Sequence, residues 1–228
     1  MKNYILLSGG SSGIGKEIAA TINKINNIIF IGRNRNSLDS NKFCHCDLRD
    51  IASISQALNN LETKNIETFI HCAGVSMIGY AKSFSYKEMI ECANVNLYSS
   101  MEIIKFLLKN CKTSLKNIIF ISSVFSHKAQ RGNSFYASTK GGLESYAKSL
   151  ALELAPKVRV NTIACGGIFN TNMTKNIFND EQKQEILKSY PLGEGETKDV
   201  ANLVEFLCKE DSRWITGATI TLDGGFSL

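Results

Sequence analysis

The sequence predicts a doubly wound α/β domain: a parallel sheet of about seven strands with helices on both faces. Three observations predict it. Short, β-branched apolar runs alternate with longer segments whose apolar residues recur every three or four positions. The runs are mostly continuous rather than alternating, as in strands buried on both faces. A glycine cluster closes the first run where the first helical pattern opens.

The elements follow in order. Strands are read at residues 4–7, 27–31, 42–46, 67–71, 117–121, 158–164 and 218–222. Helices are read at 13–26, 51–61, 85–111, 136–154 and 198–209, each with a stripe of apolar side chains. Strand–helix–strand alternation implies right-handed crossovers, and ligands then belong at the carboxyl ends of the strands. Residues 166–190 break the rhythm with two glycines, four asparagines and a weak helix near 180–188. A long irregular excursion of this kind reads as a substrate lid.

With 228 residues, 43% hydrophobic and 21% charged, the chain matches one ordinary globular domain. It is not a disordered tail, a collagen-like repeat or a disulfide-stapled scaffold. No apolar run approaches the roughly 20 residues of a membrane span, and the N-terminal apolar stretch is too short for a signal peptide. The expectation is a cytoplasmic protein with no membrane partner. Seven cysteines fit thiols in a reducing compartment. Cys44-His45-Cys46 and His71-Cys72 invite a metal reading, but no C-x-x-C occurs and the C-x-C lies in a strand, so buried thiols are preferred and no metal is expected. The net charge of +5 is scattered, with no basic stretch interleaved with aromatics, so nucleic acid is not an expected partner.

The first strand runs into Ser8-Gly9-Gly10-Ser11-Ser12-Gly13-Ile14-Gly15. Glycine lets the backbone approach a pyrophosphate closely, and the helix N-terminus offers unpaired N–H groups and a positive dipole end. Further along, Ser123 ends an apolar strand, and Tyr136 and Lys140 stand one helical turn apart. A hydroxyl, a phenol and an ammonium therefore converge on one sheet edge. An ammonium beside the phenol is expected to lower its pKa toward a working value.

Taken in order, these motifs make the chain resemble the short-chain dehydrogenase/reductase family over essentially all 228 residues. The glycine loop at 9–15 is followed by Asp47-Leu48, Ala73-Gly74, Asn96-Leu97, Ser122-Ser123, Tyr136-x-x-x-Lys140, Ile215-Thr216-Gly217 and Asp223-Gly224-Gly225. The overall pattern is most similar to 3-oxoacyl-[acyl-carrier-protein] reductases. The resemblance implies a Rossmann-type fold and hydride transfer between a nicotinamide cofactor and a ketone or secondary alcohol. It implies Tyr136 as general acid/base and Ser123 as the group holding the carbonyl oxygen. Lys140 would support the phenolate and bind the nicotinamide ribose. Asn96 would bend its helix around a bound water. The cofactor would lie along Gly9, Ser11, Ser12, Gly13, Ile14, Gly15, Arg33, Asp47, Leu48, Ala73, Gly74, Tyr136, Lys140 and Thr171. Asp47 would accept from the adenine amino group, with an N-cap for the next helix as the plain alternative.

NADP(H) is expected over NAD(H). No carboxylate follows the second strand before Asp39, while Gly32-Arg33-Asn34-Arg35 offers space and a fork for a 2′-phosphate, and Ser11 adds a hydroxyl. The sequence departs from the family at Cys72, where an asparagine is usual, and at Cys165-Gly166-Gly167, which shifts Thr171 by one position. A homodimer or homotetramer is expected, with Tyr146, Leu150 and Leu154 as an apolar ridge on the family's usual dimer helix. Lys112, Lys116, Lys157 and Arg159 are read as a candidate surface for an acidic acyl carrier protein. The alternative function is a catalytically silent NADP-binding regulator on the same fold, against which the intact Ser123, Tyr136, Lys140 and Asn96 argue.

Overall fold

The computed structural model describes residues 3–22, 27–34, 42–61, 65–174 and 179–228. Seven parallel strands form one sheet in the order β3-β2-β1-β4-β5-β6-β7. They are β1 (Tyr4–Ser8), β2 (Asn27–Gly32), β3 (Phe43–His45), β4 (Ile66–His71), β5 (Asn117–Ser123), β6 (Arg159–Cys165) and β7 (Thr219–Leu222). The order reverses between β1 and β4, so the loops leaving these two strands diverge and open a crevice there.

The strands read as continuous apolar runs because each face has its own helical layer. Leu6, Ile29, Ile31, Phe69, Ile118 and Phe120 belong to one core. Helices α2 (Ile51–Asn59), α4 (Ser99–Asn110) and α5 (Ser134–Leu154) cover it with Ile54, Leu58, Ile103, Leu107, Leu143 and Leu150. The alternate residues Ile5, Leu7, Ile28, Phe30, Ile119 and Ile163 face the other layer. There α1 (Gly13–Ile22) and α7 (Thr197–Cys208) supply Ile18, Ile22, Val200 and Val204. The period of two along each strand divides the side chains between the layers.

The helix expected at 85–111 is three pieces: α3 (Tyr86–Ala93), a π-helical turn (Asn94–Tyr98) and α4. Ser85 and Glu88 form a reciprocal capping box that starts α3. The π turn falls at Asn96, whose side chain pairs with the Val75 backbone and with the Cys92 thiol one turn back. Of the first expected helix, residues 23–26 lie outside the described residues. The segment 166–190 carries α6 (Asp180–Leu187), capped by Asn179 and Gln182.

Two surface expectations are corrected. Leu150 is buried in the core, and Tyr146 and Leu154 pack against it, so this ridge is the inward face of α5. Phe120 holds the Tyr146 ring edge-on at 6.2 Å. The exposed apolar residue on α5 is Leu152. Lys116 and Lys157 precede β5 and β6, and Lys112 follows α4, so they sit at the amino ends of the strands, opposite the crevice. Arg159 is no docking cation: its guanidinium donates to the carbonyls of Leu207, Ser212 and Ile215. Among the described residues no helix is long and apolar enough to cross a membrane, and no cluster of ligating side chains could hold a metal.

Candidate active site

The carboxyl ends of β1, β2, β4, β5 and β6 border a cavity of about 1210 Å³. Of the catalytic and cofactor-binding residues singled out in the sequence, all except Asn96 line it, and Asn96 lies directly behind its wall. Its floor is the glycine loop. Gly9 has φ +74°, and a Cβ there would lie 2.6 Å from the Ala73 nitrogen. A Cβ on Gly15 would lie 2.1 Å from the Gly9 carbonyl oxygen. Any side chain at either position would push the loop off β4 or off α1. This tight packing brings Ser11, Ser12, Gly13 and Ile14 to the cavity at the start of α1, where first-turn amides lack helical partners. A glycine cradle at a helix N-terminus fits a pyrophosphate. Thr171 faces it across the cleft: a Cβ on Gly13 would lie 3.2 Å from the Thr171 Cβ, and the Thr171 hydroxyl pairs with that of Thr174 at 2.9 Å.

At the far end Arg33 and Asp47 line the cavity, and a Cβ on Gly32 would meet no atom within 4 Å. Asp47 is not a helix cap, because α2 begins after Asp50. Its carboxylate instead accepts from Arg49 Nε and Nη2 at 3.1 and 2.6 Å. Arg49 and the nearby Arg33 hold the Asp47 carboxyl below its ordinary range. Leu48 is buried beside it. Arg35 and Asp39 lie outside the described residues.

Asn96 is fully buried and makes a two-point grip on the Val75 backbone. Its Oδ1 accepts from the Val75 N–H at 2.8 Å, and its Nδ2 donates to the Val75 carbonyl at 3.1 Å. Nδ2 also donates to the Thr139 hydroxyl at 3.0 Å, which joins the π turn to α5. A Cβ on Gly74 would sit 3.4 Å from Lys140 Nζ and 3.6 Å from Asn96 Oδ1, so both polar groups converge on Gly74.

Ser123 ends β5, and Tyr136 and Lys140 follow on α5. Burial pushes the Tyr136 phenol up to about 12, against a smaller lowering by the neighbouring Ser123 hydroxyl. The lowering expected from the nearby ammonium does not prevail, because burial holds the phenol above its ordinary value. Lys140 Nζ donates to the Ile121 carbonyl at 2.9 Å and stands 5.9 Å from the centre of the Tyr136 ring. Burial lowers the Lys140 pKa, opposed by the nearby Glu144 carboxylate. The neighbouring thiols of Cys72 and Cys165 stay protonated, because burial raises them to about 12.

Several contributors escaped the sequence reading. Glu144, one turn beyond Lys140 and buried, accepts at Oε1 from the hydroxyls of Ser122 at 2.7 Å and Ser126 at 2.5 Å. It ties both sides of Ser123 to the helix carrying Tyr136; a carboxylate among the apolar positions of α5 was the available signal. An aromatic ladder forms the opposite wall. Phe125 meets Phe226 edge-on at 6.3 Å, Phe226 stacks on Tyr190 at 4.6 Å, and Tyr190 meets Phe169 edge-on at 6.1 Å. Lys128 fixes the C-terminal tail by donating to the Phe226 carbonyl at 2.7 Å. No spacing in the sequence announces a wall drawn from four separate segments.

Known proteins agree with this geometry. The family model described as enoyl-(acyl carrier protein) reductase matches residues 9–227. The chain is 31% identical over 240 residues to the 3-oxoacyl-[acyl-carrier-protein] reductase FabG of Buchnera aphidicola subsp. Schizaphis graminum, covering 100% of this chain and 98% of the relative. A short chain dehydrogenase family protein from Francisella tularensis superposes with TM-score 0.90 at 30% identity, covering 99% and 98% of the two chains. A short chain dehydrogenase from Leptospira borgpetersenii with bound NAD+ superposes with TM-score 0.87 at 27% identity, covering 100% and 94%.

Proposed function

The chain belongs to the short-chain dehydrogenase/reductase family of nicotinamide-dependent oxidoreductases, and we propose that within it the protein is an NADPH-preferring reductase of 3-oxoacyl thioesters. The observation that carries this reading is the convergence of Ser123, Tyr136 and Lys140 in one cavity with a glycine cradle at its floor. Bound along that cradle, the reduced nicotinamide supplies hydride to the carbonyl carbon. The chain's own residues do the rest. Ser123 donates a hydrogen bond to the carbonyl oxygen and fixes it beside the phenol. Tyr136 gives its proton to that oxygen as negative charge develops there. A phenol with a raised pKa is a competent proton store at neutral pH, and the Lys140 charge stabilises the phenolate left behind. Asn96 holds the Val75 backbone and Thr139, and so fixes the wall that would receive the nicotinamide ribose.

Preference for NADPH rests on Arg33 and the open space at Gly32. A guanidinium forks onto phosphate oxygens, and no described carboxylate at the end of β2 opposes a 2′-phosphate. The thioester reading rests on the FabG-type relatives and on the apolar wall of Phe125, Phe169, Tyr190 and Phe226, which suits an acyl chain. Arg131 lines the cavity and offers an acidic carrier protein a cation on the correct side of the sheet. Residues 166–174 and 179–190 serve as the lid, residues 175–178 lying outside the described residues, and the protein works as a cytoplasmic homodimer or homotetramer through exposed apolar residues such as Leu152 and Trp214. The test is oxidation of NADPH and of NADH with acetoacetyl thioesters on coenzyme A and on acyl carrier protein. A purified protein that reduces neither thioester with either cofactor overturns the substrate assignment.

A further inference from the structure

Asn133 is the N-cap residue of α5, immediately before Ser134. An asparagine at this place ordinarily accepts from a first-turn amide through its side chain. Asn133 makes no such bond. Its backbone is spent: the N–H donates to the Gln130 carbonyl at 3.2 Å, and the carbonyl accepts from the Ala137 N–H at 2.7 Å. The carboxamide alone is left over, and among the described residues it has no hydrogen-bond partner. Asn133 is nevertheless only 6% exposed, and it lines the cavity. A buried amide without a partner costs stability, so this one calls for a reason. Its place on α5 supplies one. Asn133 and Lys140 flank Tyr136 along one face, three positions before it and four after. Lys140 is turned inward, to the Ile121 carbonyl and to Gly74. Asn133 stands on the other side of the phenol, in the outer turn with Gln130 and Arg131, which also line the cavity. A substrate whose reacting oxygen lies at Ser123 and Tyr136 therefore passes Asn133 on its way out.

We propose that Asn133 is a specificity-determining residue: its carboxamide NH2 donates to a second carbonyl oxygen of the substrate, on the carbon two bonds from the reacting ketone, so that the site selects 1,3-dicarbonyl compounds over simple ketones. This rests on the thioester reading above and deepens it, because in a 3-oxoacyl thioester the second carbonyl is that of the thioester itself. The reacting oxygen takes its hydrogen bonds from Ser123 and Tyr136. Of the donors in the outer turn, Gln130 and Arg131 are exposed and Asn133 is buried. A buried, fixed donor discriminates more sharply than a solvated one, since an analogue without the acceptor leaves it unpaired. The carboxamide meets an acceptor only when the right substrate is bound, which accounts for a cap residue that does not cap.

The experiment compares two ketones on the full chain: acetoacetyl-coenzyme A, and S-(3-oxobutyl)-coenzyme A, a thioether in which CH2 replaces the thioester carbonyl. Their intrinsic reactivities differ, so the quantity read is the change in the ratio of their kcat/KM values between wild type and variant. Asn133→Leu keeps the bulk and removes the amide. It is expected to lower kcat/KM for the thioester by about tenfold and to leave the thioether nearly unchanged. Asn133→Asp keeps the shape, suits a helix N-terminus and has no NH2 to donate, so it should lose the thioester equally while folding at least as well as the wild type. Should Asn133→Leu fail to fold, Asn133→Asp decides. Equal losses on both ketones, or no loss on the thioester, overturn the proposal and leave the thioester reading standing. Binding gives a readout without turnover: in Tyr136→Phe loaded with NADPH, calorimetry should show that adding Asn133→Leu weakens acetoacetyl-coenzyme A by about tenfold and the thioether little. A protein that neither reduces nor binds acetoacetyl-coenzyme A overturns the thioester reading, and with it the role given to Asn133.

Discussion

Lys140 Nζ donates to the carbonyl of Ile121 at 2.9 Å rather than to its helical neighbour Tyr136. The ammonium is thereby anchored to β5, the strand that ends in Ser123. Burial sets the Tyr136 phenol high, and the neighbouring Ser123 hydroxyl lowers it only in part.

Tyr136→Phe removes the proton and leaves the cavity wall. Turnover is expected to fall by about 10²–10⁴-fold, the usual contribution of a positioned acid. Cofactor affinity should stay close to that of the wild type. Ultraviolet difference titration of wild type against Tyr136→Phe should place the phenol above its ordinary value, near 12, in the cofactor-free protein. Turnover surviving in the variant would remove Tyr136 from the mechanism.

The proposed preference for NADPH rests on Arg33. Loss of a charge-assisted hydrogen bond costs about 1.5–3 kcal/mol, so Arg33→Ala should lower kcat/KM with NADPH by about 10–100-fold. The value with NADH should change little. A wild type that prefers NADH, or a variant whose cofactor ratio does not move, contradicts the assignment.

Glu144 joins Ser122 and Ser126 through a single oxygen, Oε1. Glutamine offers an oxygen in the same place, so Glu144→Gln should retain most of the stability. Glu144→Ala leaves Ser126 its bond to the Ser123 carbonyl and Ser122 only a long one to the Lys140 carbonyl, and should lose about 1–2 kcal/mol in urea unfolding, since an unsatisfied buried polar group costs about 1–3 kcal/mol. Identical losses in the two variants would mean that the carboxylate charge matters, rather than its acceptor geometry.

Much of this was legible in the sequence because strand periodicity and the glycine loop are local signals. The runs at 4–7 and 117–121 become β1 and β5, extended by one and two residues, and the run at 158–164 becomes β6, shifted by one. The sites of Ser123, Tyr136 and Lys140 follow from which strand or helix carries them. The partners of these residues were not legible. Glu144, His71 and Phe226 act through contacts 18 to 98 residues away in sequence, which no spacing rule encodes. The misassigned ridge at Tyr146, Leu150 and Leu154 has the same origin: an apolar stripe shows that a face is covered but not by what.

Phe226 closes the substrate side of the cavity from the C-terminal tail. Asp223 folds that tail back, its carboxylate accepting from the amides of Gly225 and Ser227 at 2.9 and 2.8 Å. Phe226→Ala should lower kcat/KM for a long-chain 3-oxoacyl thioester at least tenfold more than for the acetoacetyl thioester, because only the longer chain reaches the ladder. Removing a buried aromatic contact accounts for such a factor at about 1.4 kcal/mol. Equal losses on both substrates would assign the ring to the tail's stability instead.

The pH dependence of stability isolates His71. Its ring is held near 3 in the folded protein, against 6.5 for an ordinary histidine. A depressed folded-state pKa means that the unfolded chain takes up the proton first. The stability tied to the neutral ring is therefore complete above about pH 6.5 and is lost progressively as the pH falls toward 3. Between pH 7.5 and pH 5 the unfolded state gains about 2 kcal/mol from this one group, at about 1.4 kcal/mol per unit. Other groups, chiefly carboxylates, add their own slopes, but these are shared by wild type and His71→Asn. The stability difference between the two, from urea unfolding at both pH values, should thus move by about 2 kcal/mol in favour of the variant as the pH is lowered. A difference that stays constant over this interval would show that the imidazole protonates freely in the folded protein, and would place it in contact with water rather than in the sheet.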